Sequence, residues 1–124
     1  MKTSPEEELE KFNEEIILLR RIRQVIVEGS NDRKALNEFG IKRIITLGKP
    51  LYKVVESCEK EVAILTDLDA EGKKIYKRLK NEFSRRGVGI NDRFRKFLSR
   101  YTKLRQIEGL ENYINNLRQK VKYD

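Results

Sequence analysis

The chain has 124 residues, 38% hydrophobic and 39% charged, with a net charge of +8, a single cysteine and no histidine. No apolar run approaches the ~18 residues that a membrane-spanning helix needs, and the residue inventory excludes an internal disulfide framework, the Ser/His/Asp triad and the common zinc sites. Any chemistry is left to carboxylates, hydroxyls, lysine or a bound metal.

The size favours one domain over residues 1–124, on a prior of about 150 residues per domain. The opening MKTSPEEELEKF lacks the apolar core of a secretory signal, so the expected location is cytoplasmic. Ser4, Pro5 and Glu7 have the form of an N-cap, a first-turn proline and a capping-box acid. Leu9, Phe12, Ile16 and Leu19 follow at helical spacing, predicting a helix over about 5–21. At Gln24 the period changes, and Val25-Ile26-Val27 reads as a buried strand that stops at Glu28-Gly29. Asn31 or Asp32 is the expected cap of a short helix carrying Ala35, Leu36 and Phe39, with Gly40 as its stop.

A second strand is expected over 43–47, broken by Gly48-Lys49-Pro50. Leu51, Val54, Val55 and Cys58 then recur at i, i+3, i+4 and i+7, which makes Cys58 core filling rather than a nucleophile. The third strand, Val62-Ala63-Ile64-Leu65, runs into Thr66-Asp67-Leu68-Asp69-Ala70-Glu71-Gly72, and Ile75, Tyr76, Leu79 and Phe83 mark the buried side of the next helix. Residues 88–90 have the length of an edge strand. Two apolar stripes, Phe94/Phe97/Leu98/Tyr101 and Leu110/Tyr113/Ile114/Leu117/Val121, predict C-terminal helices over about 92–122. Apolar strands alternating with amphipathic helices over short connections predict an α/β fold. Its parallel, Rossmann-like sheet has three to four strands flanked by helices, with a core over about 22–90 and additional helices at both ends.

Charge is unevenly placed along these elements. Residues 1–15 carry six acids and two bases, whereas residues 73–105 carry thirteen bases against only Glu82 and Asp92. Such a field attracts a phosphate backbone independently of its sequence, so nucleic acid is the expected partner. The plainer alternative is the solvated surface of a charge-rich, heat-stable protein.

Position singles out Glu28 and Asp67 among the acids. Each is the first acid after an apolar strand, and in a parallel sheet both fall on the C-terminal edge, where open α/β folds bind ligands. With a 2-1-3 strand order the two backbones would lie about 4.8 Å apart, and Asp69 adds a third acid two residues on. An oxygen-only cluster suits Mg²⁺ or Mn²⁺ better than zinc, while Gly72 lets the helix entry approach closely. The competing reading makes Asp69 a helix cap and Glu28 a surface acid.

These residues resemble the Toprim domains shared by topoisomerases, bacterial-type primases, recombination-mediator and overcoming-lysogenization proteins, and a ribosomal-RNA maturase. Glu28-Gly29 looks like the family's glutamate motif and Asp67-Leu68-Asp69-Ala70-Glu71-Gly72 like its D-x-D-x-x-G motif. The resemblance spans about 24–86 and is closest to the small Toprim proteins of archaea and bacteria; a lysine that often follows the E-G pair is Ser30 here. It implies one Mg²⁺ bound through Glu28 and Asp67, a second ion through Asp67 and Asp69, and Glu28 as the acid–base group in phosphoryl transfer. Arg33, Lys49, Lys73 and Lys74 are candidate phosphate contacts near that edge, with Arg93, Arg95 and Lys96 extending the track.

Three functions compete. The first is a Mg²⁺-dependent protein that binds nucleic acid and cleaves phosphodiester bonds, in RNA processing or DNA repair. The second is a non-catalytic module that binds nucleic acid or docks onto a processing complex. The third is a phosphatase of haloacid-dehalogenase type, disfavoured because its aspartate motif belongs on the first core strand, and receiver-type phosphotransfer is weaker still. A homodimer is the expected assembly, since small domains gain core by association.

Overall fold

β-Branched and aliphatic side chains on a pleated surface account for the centre of the molecule. The computed structural model describes residues 3–123. Strands β1 (Gln24–Val27), β2 (Ile44–Thr46), β3 (Glu61–Ile64) and β4 (Gly89–Ile90) form one parallel sheet in the order β2-β1-β3-β4. In the central pair Val25 lies opposite Ala63 and Ile26 opposite Ile64. The two-residue period of the strands sends Val25, Val27 and Ala63 into one core and Ile26, Val62 and Ile64 into the other.

Helices cover both faces. α1 (Pro5–Arg20), α2 (Ser30–Asn37), α5 (Arg93–Tyr101) and α6 (Leu110–Tyr123) lie on the Val25 side, and α3 (Leu51–Glu56) and α4 (Ala70–Arg85) lie on the Ile26 side. The chain moves one way across the sheet from β1 to β2 and the opposite way from β2 to β3, so right-handed crossovers require α2 and α3 on opposite faces. That reversal opens a crevice at the C-terminal ends of β1 and β3. Phe12, Phe39, Phe94 and Phe97 pack ring against ring, at 5.3 to 6.2 Å between centroids, to join α1 and α5 to the first core. The terminal helices α1 and α6 pack on each other over their own sheet, tied by the Tyr113 hydroxyl, which donates to Glu8. Among the described residues no helix is long and apolar enough to cross a membrane.

Local differences from the expected elements have physical causes. Ser4 Oγ caps α1 by accepting from the Glu7 N–H at 3.2 Å, but Glu7 returns no bond, so only half of the expected capping box forms. α2 begins at Ser30, earlier than expected, with Gly29 as N-cap; Asp32 is its third residue and reaches back to the Gly29 N–H at 3.1 Å. Gly40 sits at φ +80°, the left-handed conformation that ends a helix cleanly. Cys58 is buried, and burial pushes its thiol pKa up, as befits core filling.

Candidate metal centre

Glu28 is the first residue after β1, and Asp67 stands three residues beyond β3. The sheet ladder continues into this edge: the Leu65 N–H donates to the Ile26 carbonyl at 2.7 Å. The Asp67 N–H then donates to Glu28 Oε2 at 2.7 Å. A carboxylate thus takes over where backbone pairing ends, in a charge-assisted bond. Asp67 Oδ1 in turn accepts from the Ile107 N–H at 3.0 Å, and the Leu68 N–H donates to the Arg105 carbonyl at 2.7 Å. Residues 105–107 are thereby laid alongside the Asp67 loop.

The spacing of the second motif follows from its turn. Asp69 is the N-cap of α4, and its Oδ1 accepts from the Gly72 N–H at 2.8 Å. Thr66 Oγ1 donates to the Gly72 carbonyl at 2.7 Å. The chain folds back so tightly that a Cβ on Gly72 would lie 2.0 Å from the Asp67 carbonyl oxygen. Only glycine fits there. Asp69 Oδ2, like the second oxygens of Glu28 and Asp67, bonds to no described residue, but no group of three or more His, Cys, Asp or Glu side chains forms a metal-holding set among the described residues.

The third acid coupled to the pair is Asp32, which is 8% exposed. Burial raises its pKa, as does the neighbouring Asp67 charge; the Gly29 N–H opposes the rise, and Glu28 and Glu108 add to it. Sequence reasoning placed Asp32 only as a helix cap. Its signal was spacing: it lies four residues after Glu28, one turn into the helix that opens there, so its side chain returns to the same edge.

Arg95 also departs from expectation. It is 7% exposed, not part of an open phosphate track. Nη1 donates to the Thr66 carbonyl at 2.5 Å and Nη2 to the Asp67 carbonyl at 3.0 Å, and the guanidinium lies 4.5 Å from the centre of the Tyr76 ring. Burial lowers its pKa while Tyr76, Glu28 and Asp67 oppose that shift, and an arginine stays charged there. Residue 95 belongs to the inner face of α5, beside Phe94, Phe97 and Leu98. A positive charge is therefore built in beneath the acidic edge.

The other expected phosphate contacts are exposed. Arg33 donates to the Ile44 carbonyl at 3.2 Å. Arg93 pairs with Glu15 at 2.6 Å and Lys96 with Asp92 at 3.3 Å. Lys49 lies beyond β2, and Lys73 and Lys74 lie in the first turn of α4. The structure brings together Glu28, Asp67, Asp32 and Arg95; it leaves Lys49, Arg93 and Lys96 on the surface.

The donor chemistry fits a hard divalent cation. Glu28 and Asp67 each give one oxygen to a backbone N–H and keep a second that bonds to no described residue. Mg²⁺ is commonly held by one or two carboxylates while retaining several waters.

Residues 23–101 match the Toprim domain. A UPF0292 protein of Methanocaldococcus jannaschii is 33% identical over 117 residues, covering 88% of this chain and 91% of that protein. A UPF0292 protein of Pyrococcus abyssi is 36% identical over 95 residues, covering 73% of this chain and 71% of the relative. Among solved structures, a putative protein from Aquifex aeolicus superposes with a TM-score of 0.73 at 36% identity, over 81% of this chain and 95% of that one. With two acidic turns meeting at the edge of a parallel sheet and the domain match spanning that sheet, the chain belongs to the Toprim family, whose general theme is metal-dependent work on nucleic acids.

Proposed function

We propose that the chain is a Mg²⁺-dependent protein that binds nucleic acid and cleaves phosphodiester bonds, with Glu28 and Asp67 holding the ion. The observation that carries this reading is the bond from the Asp67 N–H to Glu28 Oε2, which ties the Glu28 carboxylate to the Asp67 backbone at the ligand-binding edge of the sheet. Mg²⁺ or Mn²⁺ at such a pair stabilises charge on a scissile phosphate and lowers the pKa of a bound water, chemistry that a chain without histidine has few other ways to supply.

The protein's own groups divide the remaining work. Glu28 is also the candidate acid–base group. The Ile107 N–H holds the Asp67 carboxylate in orientation. Arg95 fixes the carbonyls of Thr66 and Asp67 from beneath the pair. Asp69 secures the turn by capping α4.

The test offers structured RNA and branched DNA to the purified protein with Mg²⁺ or Mn²⁺. Cleavage is expected, reduced about a hundredfold or more in Glu28→Gln and comparably in Asp67→Asn. No cleavage of any substrate, or variants that cut at the wild-type rate, refutes the assignment. One observation favours a second reading, a non-catalytic nucleic-acid-binding or complex-docking module: among the described residues no group of three or more His, Cys, Asp or Glu side chains forms a metal-holding set. Salt-dependent binding that survives Glu28→Gln, without turnover by the wild type, selects that reading.

A further inference from the structure

Two clefts flank the segment that binds Asp67. The first, of about 440 Å³, lies between the first turn of α4, the end of α5 and the loop that follows. Its charged lining is Lys73, Lys103 and Arg105, with Ser99 adding a hydroxyl and no acid among the lining residues. Arg105 Nη1 donates to the Leu68 carbonyl at 3.4 Å, so this guanidinium is anchored to the residue next to Asp67. The second cleft, of about 490 Å³, is lined by Glu38, Glu108 and Glu111, with Lys34 as its single base. Arg105 and Gln106, adjacent in the chain, line different clefts. The 105–107 segment, which gives Asp67 Oδ1 its N–H partner, is thus the divide between a basic and an acidic surface.

We infer that the basic cleft seats a backbone phosphate of a nucleic-acid strand beside the Glu28–Asp67 pair, and that the acidic cleft turns the strand away, so that it reaches the edge from the α4–α5 side. This rests on the proposed nucleic-acid function and adds to it a direction of approach. Three bases facing one concavity without a counter-acid gain from releasing the counterions of a phosphate chain. Three acids on the other side repel the same chain, and like-charge juxtaposition of this kind sets register and orientation more than total affinity. The arrangement also gives the segment after α5 a role that the two acidic motifs do not predict.

The test measures binding of a fluorescent single-stranded oligonucleotide in chelator, so that cleavage plays no part, at salt concentrations from about 50 to about 200 mM. Lys73→Gln combined with Lys103→Gln is compared with Lys53→Gln combined with Lys120→Gln, which removes the same charge from exposed positions outside the cleft. The cleft pair should bind about tenfold more weakly at the low-salt end, with the slope of log K against log salt reduced by about 1.4, as for two lost single-strand phosphate contacts. The outside pair should stay within about twofold of wild type. Equal effects of the two pairs overturn the cleft and leave the catalytic reading standing. A wild type that binds no oligonucleotide at low salt overturns both. A lysine effect of the expected size in a protein that never cleaves keeps the cleft and removes the catalysis.

Discussion

The two acidic turns look alike in sequence and are built differently. Each carries a strand into a helix at the same sheet edge, each contains a glycine, and each has an aspartate that accepts a backbone N–H three residues away. In the first turn Asp32 reaches back to Gly29; in the second Asp69 reaches forward to Gly72. Gly29 has extended backbone angles, φ −148° and ψ −179°, and a Cβ there would meet nothing within 4 Å. Gly72 would drive a Cβ into the Asp67 backbone at 2.0 Å. The first turn is open, with its aspartate coupled to Asp67 and Glu28, whereas the second is closed over the Asp67 backbone. A glycine in a motif is thus a steric requirement only where the chain folds onto itself.

The largest expected effect lies beneath the closed turn. Arg95→Leu strips a charged donor from two carbonyls, Thr66 and Asp67. It should cost about 3–6 kcal/mol in urea unfolding, at about 1.5–3 kcal/mol for each hydrogen bond to a charged group. A loss below about 1 kcal/mol would mean that the closed turn needs no support from α5. Next comes the glycine contrast itself. Gly72→Ala should cost about 3 kcal/mol through overpacking against backbone, while Gly29→Ser should stay within about 0.5 kcal/mol, since serine is at least as good an N-cap as glycine. Comparable losses at the two positions would erase the distinction between the turns.

The smallest effect is a pH dependence of the open turn. The folded pKa of Asp32 is raised by burial and then by Asp67, with Glu28 and Glu108 adding to the rise. A raised acid favours the protonated native state, so its charge weakens the fold above the folded pKa, and that cost fades as pH falls through it toward the unfolded value. In chelator, Asp32→Asn should therefore be more stable than wild type at neutral pH, with the difference shrinking on acidification. Thermal melts at several pH values check the sign, and a difference that grows toward acid would contradict the assigned cause.

Much of this architecture was legible beforehand because it rests on local periodicity. Val25-Ile26-Val27 and Val62-Ala63-Ile64 can be read as buried strands from three or four residues each, and the α4 stripe of Ile75, Leu79 and Phe83 from helical spacing. Glu28 and Asp67 were legible as a pair because a parallel sheet delivers the residues after its strands to one edge. Arg95 was not legible. It stands among seven other bases between residues 85 and 105, and nothing local separates the one turned inward from those facing water. Asp32 was legible only as a cap, since an aspartate at a helix start can either cap it or join an acidic cluster.

The sequence by itself determined the elements, their alternation and the two acids that end β1 and β3, because hydrophobic period and strand polarity are properties of short segments. Tertiary structure alone decided that Asp32 stays coupled to the pair, that Arg95 sits beneath it, and that residues 105–107 part a basic cleft from an acidic one. Those outcomes depend on contacts between positions about 28 to 40 apart in the chain, and such contacts exist only once the packed sheet has brought distant segments together.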